Sequence, residues 1–426
     1  MLFLVNHISY RSRISDGMEM NNLKVVMKSS LFYQVLLCLY LFLYIMLGIY
    51  TELKLIEIKP IPDTLLEDFG YYERALHDAL NGQNPYATRS IGIGYLYPPP
   101  ALLIIEIFHY IDPYLKALLY STVNIVLLIL IVYGTARYYG YSAEKVWYWY
   151  VICLGFAPFL ELIHIGQINI ITLFGIFMLF FWMSTFPFLS AIGLGLAVIT
   201  KVSPVLFFLY LFVHRRYSIL VLATIFIVCI TYLSALRYGF LPVLEYPSVF
   251  QWLTVQFPMG ANSQSLVSKL AAIGNTIRSN DIITGLHLTV LQKLILSFSS
   301  FLSSNHLAIQ RILTIYILMV IVVSGLLTRY GEQPREPMFM ITTLGMMLSP
   351  NVMWYHHYVF MLFPILIWMG WSRLNWRVVT WCLVGLLIVQ IDRRWWTYGL
   401  LIHVFGHLSL LSILLWQLRA FYSRQK

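Results

Sequence analysis

Charge is what this chain has least of. Only 11% of its 426 residues are Asp, Glu, Lys or Arg, whereas a soluble domain carries roughly a quarter. That scarcity, with a mean hydropathy of +0.76, excludes an ordinary water-soluble globule. Short strands of alternating polarity are absent too, which excludes a transmembrane barrel. There is no Walker A loop, no GxGxxG after a strand, no HExxH and no tandem repeat, so nucleotide-driven and zinc-protease chemistries lack their motifs. Cysteine is sparse: Cys38, Cys153, Cys229 and Cys382 each lie in apolar sequence without a CxxC pair. They read as small buried apolar residues, not as disulfides or metal ligands.

What fills the chain is apolar blocks about as long as a bilayer-spanning helix requires. The fold expected is an all-α polytopic membrane bundle. After a basic flank at 1–30, residues 31–50 form a first block too long for a signal-peptide core, read as a retained span. Met18, Met20 and Met27 are alternative starts. Further blocks fall at about 97–111, 115–136, 146–163, 169–187, 189–213, 217–236, 307–327, 337–349, 357–371, 376–391 and 398–418, with a weaker one at 283–303. The count is roughly 10–13 crossings, and the shorter blocks predict broken or re-entrant helices. Pro204, close to Lys201 and Ser203, predicts such a break, because proline lacks an N–H and clashes with the preceding turn.

The net charge of +10 is spread over short connectors instead of one stripe, which argues against a nucleic-acid partner. Arg137 with Lys145, Arg215 with Arg216, Arg329 with Arg335, Arg373 with Arg377, and Arg419 with Arg424 are expected on the cytoplasmic side. Asp392-Arg393-Arg394 falls on the unexpected side. Four polar segments then face the exoplasm: 67–100, 164–169, the long loop 237–282, and 349–358. One domain over 31–420 and a cytoplasmic tail at 421–426 complete the expected layout.

Residues 67–100 are the most structured of these segments. Phe69, Tyr72, Leu76 and Leu80 recur at helical spacing, and Asn81-Gly82 closes the helix. Asp68 reads either as the cap of that helix or as a carboxylate held at the water–lipid boundary for proton transfer. Glu67 and Asp63 are its alternatives. Lys201 is an ionisable residue inside an apolar block, hence a site candidate against simple snorkelling to the headgroups. His356 and His357 read as interfacial aromatics, or as one ring that binds a phosphate or hydroxyl; side by side on a helix they would not chelate one metal. Gln167 and Asn169 suit either substrate contact or helix–helix hydrogen bonding. Asn262 and Gln264 lie in what reads as a surface turn, with substrate contact as the other possibility.

In order along the chain, Asp68–Tyr72, Gly82, Asn84-Pro85-Tyr86, Tyr95 to Pro99, Gly166 with Gln167 and Asn169, Gly193 to Pro204 around Lys201, Asn262 with Gln264 to Leu266, and Leu348 to His357 resemble the motifs of glycosyltransferase family 87. The likeness runs from about 31 to 420. It implies a GT-C-like bundle and an inverting hexosyltransferase, mannose being the family default. The donor would be a polyprenyl-phosphate sugar, the acceptor a lipid or glycan, and the site would open on the exoplasmic face of the plasma membrane (cell inner membrane). Asp68 would be the base. Lys201, His356, His357, Gln167, Asn169, Arg89, Tyr97, Asn262 and Gln264 would bind substrate, without cofactor or obligatory metal. A flippase of lipid-linked sugars and a non-catalytic partner in a glycan-assembly complex are the competing readings. The flippase lacks the inverted repeats such proteins usually carry.

Overall fold

The structure, a computed structural model, describes residues 42–43, 45–46, 66–87, 94–141, 146–253, 293, 297, 301, 304–330, 335–349, 354–372, 376–390 and 396–425. Among them every regular element is helical. An amphipathic helix, α1 (Glu67–Leu80), precedes a short α2 (Ala101–His109) and a long α3 (Pro113–Tyr138). Then come α4 (Trp147–Leu154), α5 (Ala157–Ile165), α6 (Asn169–Trp182) and α7 (Pro187–Thr200). A single 3₁₀ turn, Ser203–Val205, leads to α8 (Leu206–Val213), α9 (Tyr217–Tyr238) and α10 (Leu241–Gln251). The last group is α11 (His306–Tyr330), α12 (Glu336–Leu348), a 3₁₀ segment Tyr355–Met361, α13 (Leu362–Trp371), α14 (Trp376–Gln390) and α15 (Trp396–Gln425).

Among the described residues, four helices are long and apolar enough to cross a membrane: Pro113–Tyr138, Tyr217–Tyr238, Leu307–Tyr330 and Ile402–Ser423. Their outer faces carry exposed apolar side chains such as Leu118, Ile129, Val228, Leu236, Ile312 and Leu415, as a lipid-facing surface requires. The shorter helices pack inside. Every residue of α12 is buried, and α12 touches α8, α11, α13 and α15. Phe180, Phe207, Phe339 and Phe363 interlock around it, ring to ring, with centroids 4.8–5.9 Å apart.

Three boundaries differ from the sequence reading. The 146–163 block is two short helices, because Pro158 sits in the first turn of α5 and the chain bends at Gly155-Phe156. The 237–282 loop opens with a helix, α10, and its remainder from 254 lies outside the described residues. The C-terminal helix runs to Gln425, through the expected tail. The break at Lys201 is where the sequence predicted it: α7 stops at Thr200, Lys201 is extended, and the helix resumes after Pro204.

The α6–α7 crossing sets the depth of that break. A Cβ on Gly175 would lie 2.4 Å from the Gly193 carbonyl oxygen, and one on Gly193 would lie 2.7 Å from the Gly175 oxygen. Only glycine lets the two backbones approach so closely. Thr172 and Thr200 hydrogen-bond across the same crossing at 2.9 Å. The top of α6 therefore stands beside the end of α7.

Candidate active site

The site begins with how α1 is docked. Its helix starts at Glu67, after Leu66 in a left-handed conformation (φ 59°). The Leu66 N–H donates to the His164 carbonyl at the end of α5, 2.7 Å away. Gly166, at φ 77°, turns the chain under this contact; a Cβ there would lie 2.8 Å from Cβ of Phe69. Phe69, Tyr72 and Leu76 are buried against α2 and α3, with Phe69 ringed by Tyr72, Phe108 and Tyr120. Burial of side chains this size stabilises a docked helix by about 1.5–3 kcal/mol each. An ion pair between Glu73 and the buried Lys116 ties the outer half of α1 to α3.

Asp68 is accordingly not the cap of α1. Leu66 occupies the cap position without a side-chain hydrogen bond. The Asp68 carboxylate accepts from Nε2 of Gln167, in the turn after Gly166. Gln167 Oε1 accepts in turn from the Tyr97 hydroxyl, and Tyr97 accepts from the Tyr72 hydroxyl at 3.2 Å. The Tyr97 ring is held by Tyr72, 5.2 Å away edge-on, and its backbone carbonyl by the Tyr86 hydroxyl at 3.0 Å. Burial first of all pushes the Tyr97 phenol well above its ordinary value, and the nearby Asp68 charge adds to this. Tyr97 therefore stays a hydrogen-bond donor.

A second chain of contacts leaves from Asn169, two residues beyond Gln167. Lys201 Nζ donates to Asn169 Oδ1 at 3.2 Å and meets His357 Nε2 at 2.7 Å. His357 Nδ1 accepts from the Trp354 backbone N–H at 3.3 Å. At the Lys201–His357 contact one nitrogen donates and the other accepts, as the imidazole tautomer sets. Asn169 Nδ2, on the same side chain that accepts from Lys201, is a buried amide nitrogen with no hydrogen-bond partner among the described residues. A lysine, an imidazole and an amide N–H are the kinds of group that hold an oxyanion. His356 points elsewhere: its ring stacks on Trp354 (6.1 Å, 16°), edge-on to His357 at 4.7 Å.

Asp68 and Lys201 are part-exposed, as are Tyr97 and Trp354, whereas Gln167, Asn169 and His357 are buried. The turn thus presents a carboxylate on one side and a lysine paired with an imidazole on the other. Of the sequence candidates, Asp68, Tyr97, Gln167, Asn169, Lys201, His356 and His357 gather around it. Arg89, Asn262, Gln264 and Asp63 lie outside the described residues. The Glu67 carboxylate accepts from Tyr71, one turn along its own helix, at 3.5 Å. Tyr72 was missed as a polar member because its spacing marks it as an apolar-face residue; its hydroxyl is the part the periodicity does not report.

The family model for glycosyltransferase family 87 matches residues 95–354, more than half of the chain. The chain belongs to glycosyltransferase family 87. No curated protein and no solved structure matches it. The match makes this family 87 chain a membrane glycosyltransferase. The matched stretch holds Tyr97, Gln167, Asn169 and Lys201 and ends at Trp354; His356 and His357 lie just beyond its C-terminal end, and Asp68 lies outside it, on α1 before its start.

Proposed function

We propose that the chain moves a hexose, mannose in the first instance, from a polyprenyl-phosphate donor to a hydroxyl of a lipid or glycan acceptor, with inversion. The observation that carries this reading is the turn 166–169, which holds Asp68 through Gln167 and Lys201 through Asn169. An inverting transfer needs a base on one face of the anomeric carbon and a site for the leaving group on the other. As the acceptor oxygen attacks, its proton passes to Asp68. The bond from the anomeric carbon to the phosphate oxygen breaks, and the phosphate leaves with the electron pair. Lys201, His357 and the Asn169 amide hold the charge that develops. The leaving group is already a stable phosphate, so the proposed step calls on neither a metal nor a nucleotide.

We place the chain in the plasma membrane, and the distribution of charge supports an exoplasmic face for the site. The Tyr138 hydroxyl at the far end of α3 accepts from Arg335, and Ser184, between α6 and α7, accepts from the same side chain, each at 3.0 Å. Gln417 joins Ser324 and Thr328 near the end of α11. These contacts bring Arg137, Arg329, Arg335 and Arg419 towards one end of the bundle. α6 and α12 separate that end from Asn169 and His357 by about 20 Å each. At the site end, Lys116 and Arg237 are paired with Glu73 and Glu106. A basic end opposite the site is what cytoplasmic placement of that end predicts.

The test is incorporation of labelled sugar from a polyprenyl-phosphate donor in membranes containing the chain. Asp68→Asn is expected to abolish product at normal expression, and unchanged turnover would sink the base role. A flippase would move lipid-linked sugar across proteoliposomes even as Asp68→Ala. A non-catalytic partner would be inactive when purified and would co-purify with an enzyme.

A further inference from the structure

The Asp68–Gln167–Tyr97–Tyr72 chain has a direction, and that direction follows from elementary chemistry. An ionised carboxylate only accepts hydrogen bonds. Gln167 must therefore turn its NH₂ towards Asp68, which leaves Oε1 facing Tyr97. An amide oxygen also only accepts, so the Tyr97 hydroxyl must give its proton to Oε1. Its lone pairs then accept from Tyr72 at 3.2 Å. Each link forces the orientation of the next, and the chain ends on the carboxylate. A flipped Gln167 amide would instead aim Oε1 at Asp68, oxygen against oxygen, and would favour the protonated acid.

We propose that Tyr97, backed by Tyr72, is a positioning residue that acts through the Gln167 amide to keep Asp68 ionised and aimed at the acceptor. Its role in turnover rests on the glycosyl-transfer reading above. The groups facing Asp68 fit it. Glu67 stands beside it on α1, Tyr72 one turn further, Tyr97 in the loop, Tyr120 on α3, and His164 at the end of α5 under Leu66. Of the phenols nearest Asp68, Tyr72 and Tyr120 are buried and Tyr97 is partly buried. Orientation of the amide is then how the relay stabilises the carboxylate.

Two readouts on the full chain in detergent or nanodiscs test this. The first needs no turnover. A membrane-permeant carbodiimide forms a stable N-acylurea only with a protonated carboxyl, and fragmentation of the labelled peptide separates Asp68 from Glu67. Tyr97→Phe is expected to raise the pH midpoint of Asp68 labelling by about one unit. Tyr72→Phe should raise it less, because only the second link is lost. Tyr95→Phe should leave it in place, since the Tyr95 hydroxyl is spent on the Pro98 carbonyl, off the relay. Should Tyr97→Phe lower the yield of folded protein, Gln167→Met carries the same test from the other side of the link. The second readout is sugar transfer, in which Tyr97→Phe should lower kcat about tenfold, leave KM for the donor unchanged, and move the acid limb of the profile to higher pH. Coincident labelling midpoints for wild type and Tyr97→Phe would overturn the proposal. Separated midpoints in a chain with no Asp68-dependent transfer would uphold the relay and reject the function assigned to it.

Discussion

Gln167 donates its amide N–H to the Asp68 carboxylate across 99 residues of sequence. Two positions further on, Asn169 accepts from Lys201. One turn between α5 and α6 therefore sets the spacing between the group suited to take a proton and the group suited to hold an anion. A transfer reaction depends on that spacing more than on either group alone, since misplacement by about 1 Å can cost on the order of a hundredfold in rate.

Lys201 is the first place to test this division of labour. Lys201→Met keeps the length of the side chain and removes its charge. The loss expected is about a hundredfold in kcat, together with weaker inhibition by free polyprenyl phosphate. Lys201→Arg should recover part of both, because the charge returns with a different shape. Steady-state kinetics with a radiolabelled donor would measure them, and product inhibition that survives Lys201→Met would remove the residue from the anion site.

Gly166→Ala should detach α1. The φ of 77° strains any side chain, and a Cβ would meet Phe69 at 2.8 Å. The cost expected is about 1–3 kcal/mol, concentrated at the Leu66–His164 hydrogen bond. Limited proteolysis within 66–87 should speed up while the main thermal transition of the bundle stays near its wild-type midpoint.

At the α6–α7 crossing the expected damage is global. Gly193→Val would drive a branched side chain into the Gly175 carbonyl, which even a Cβ approaches to 2.7 Å. Backbone cannot move aside there as a flexible side chain can. Fluorescence-detected size exclusion should show loss of the folded species, and Gly175→Val should behave alike. A well-folded Gly193→Val protein would mean that the helices do not cross so closely.

The Glu73–Lys116 pair gives a reciprocal test of how α1 is held. Lys116 is 6% exposed. Removing Glu73 alone leaves a buried charge without its partner, at a cost of about 3 kcal/mol. Glu73→Gln should thus destabilise more than the double variant Glu73→Gln, Lys116→Met, in which neither charge remains. Thermal unfolding in detergent measures the difference, and equal losses in both variants would show that the pair is not coupled.

Much of this architecture was legible because lipid leaves few choices. Apolar runs of spanning length must satisfy their backbone as helices. Pro204 has no N–H to offer, so the break beside Lys201 could be read directly. The helix at 67–80 could be read as well, from the period of Phe69, Tyr72 and Leu76 and from Gly82, whose φ of 69° closes it. Asp68 was the residue whose role the sequence left divided between cap and base. A cap and a base look alike in one dimension, since both are a carboxylate at the start of a helix. The distinction lies in what the carboxylate faces, and that is Gln167.

The sequence by itself determined the class of the molecule, the order of its helices, the placement of its break and the set of polar residues worth examining. Each of these follows from local periodicity, backbone chemistry or the cost of burying charge. Only the tertiary structure decided how those residues are joined. Gln167 bonds Asp68 and Tyr97, Asn169 bonds Lys201, and His357 meets that lysine. Those pairings are made between segments up to 156 positions apart, through helix crossings that no local pattern encodes.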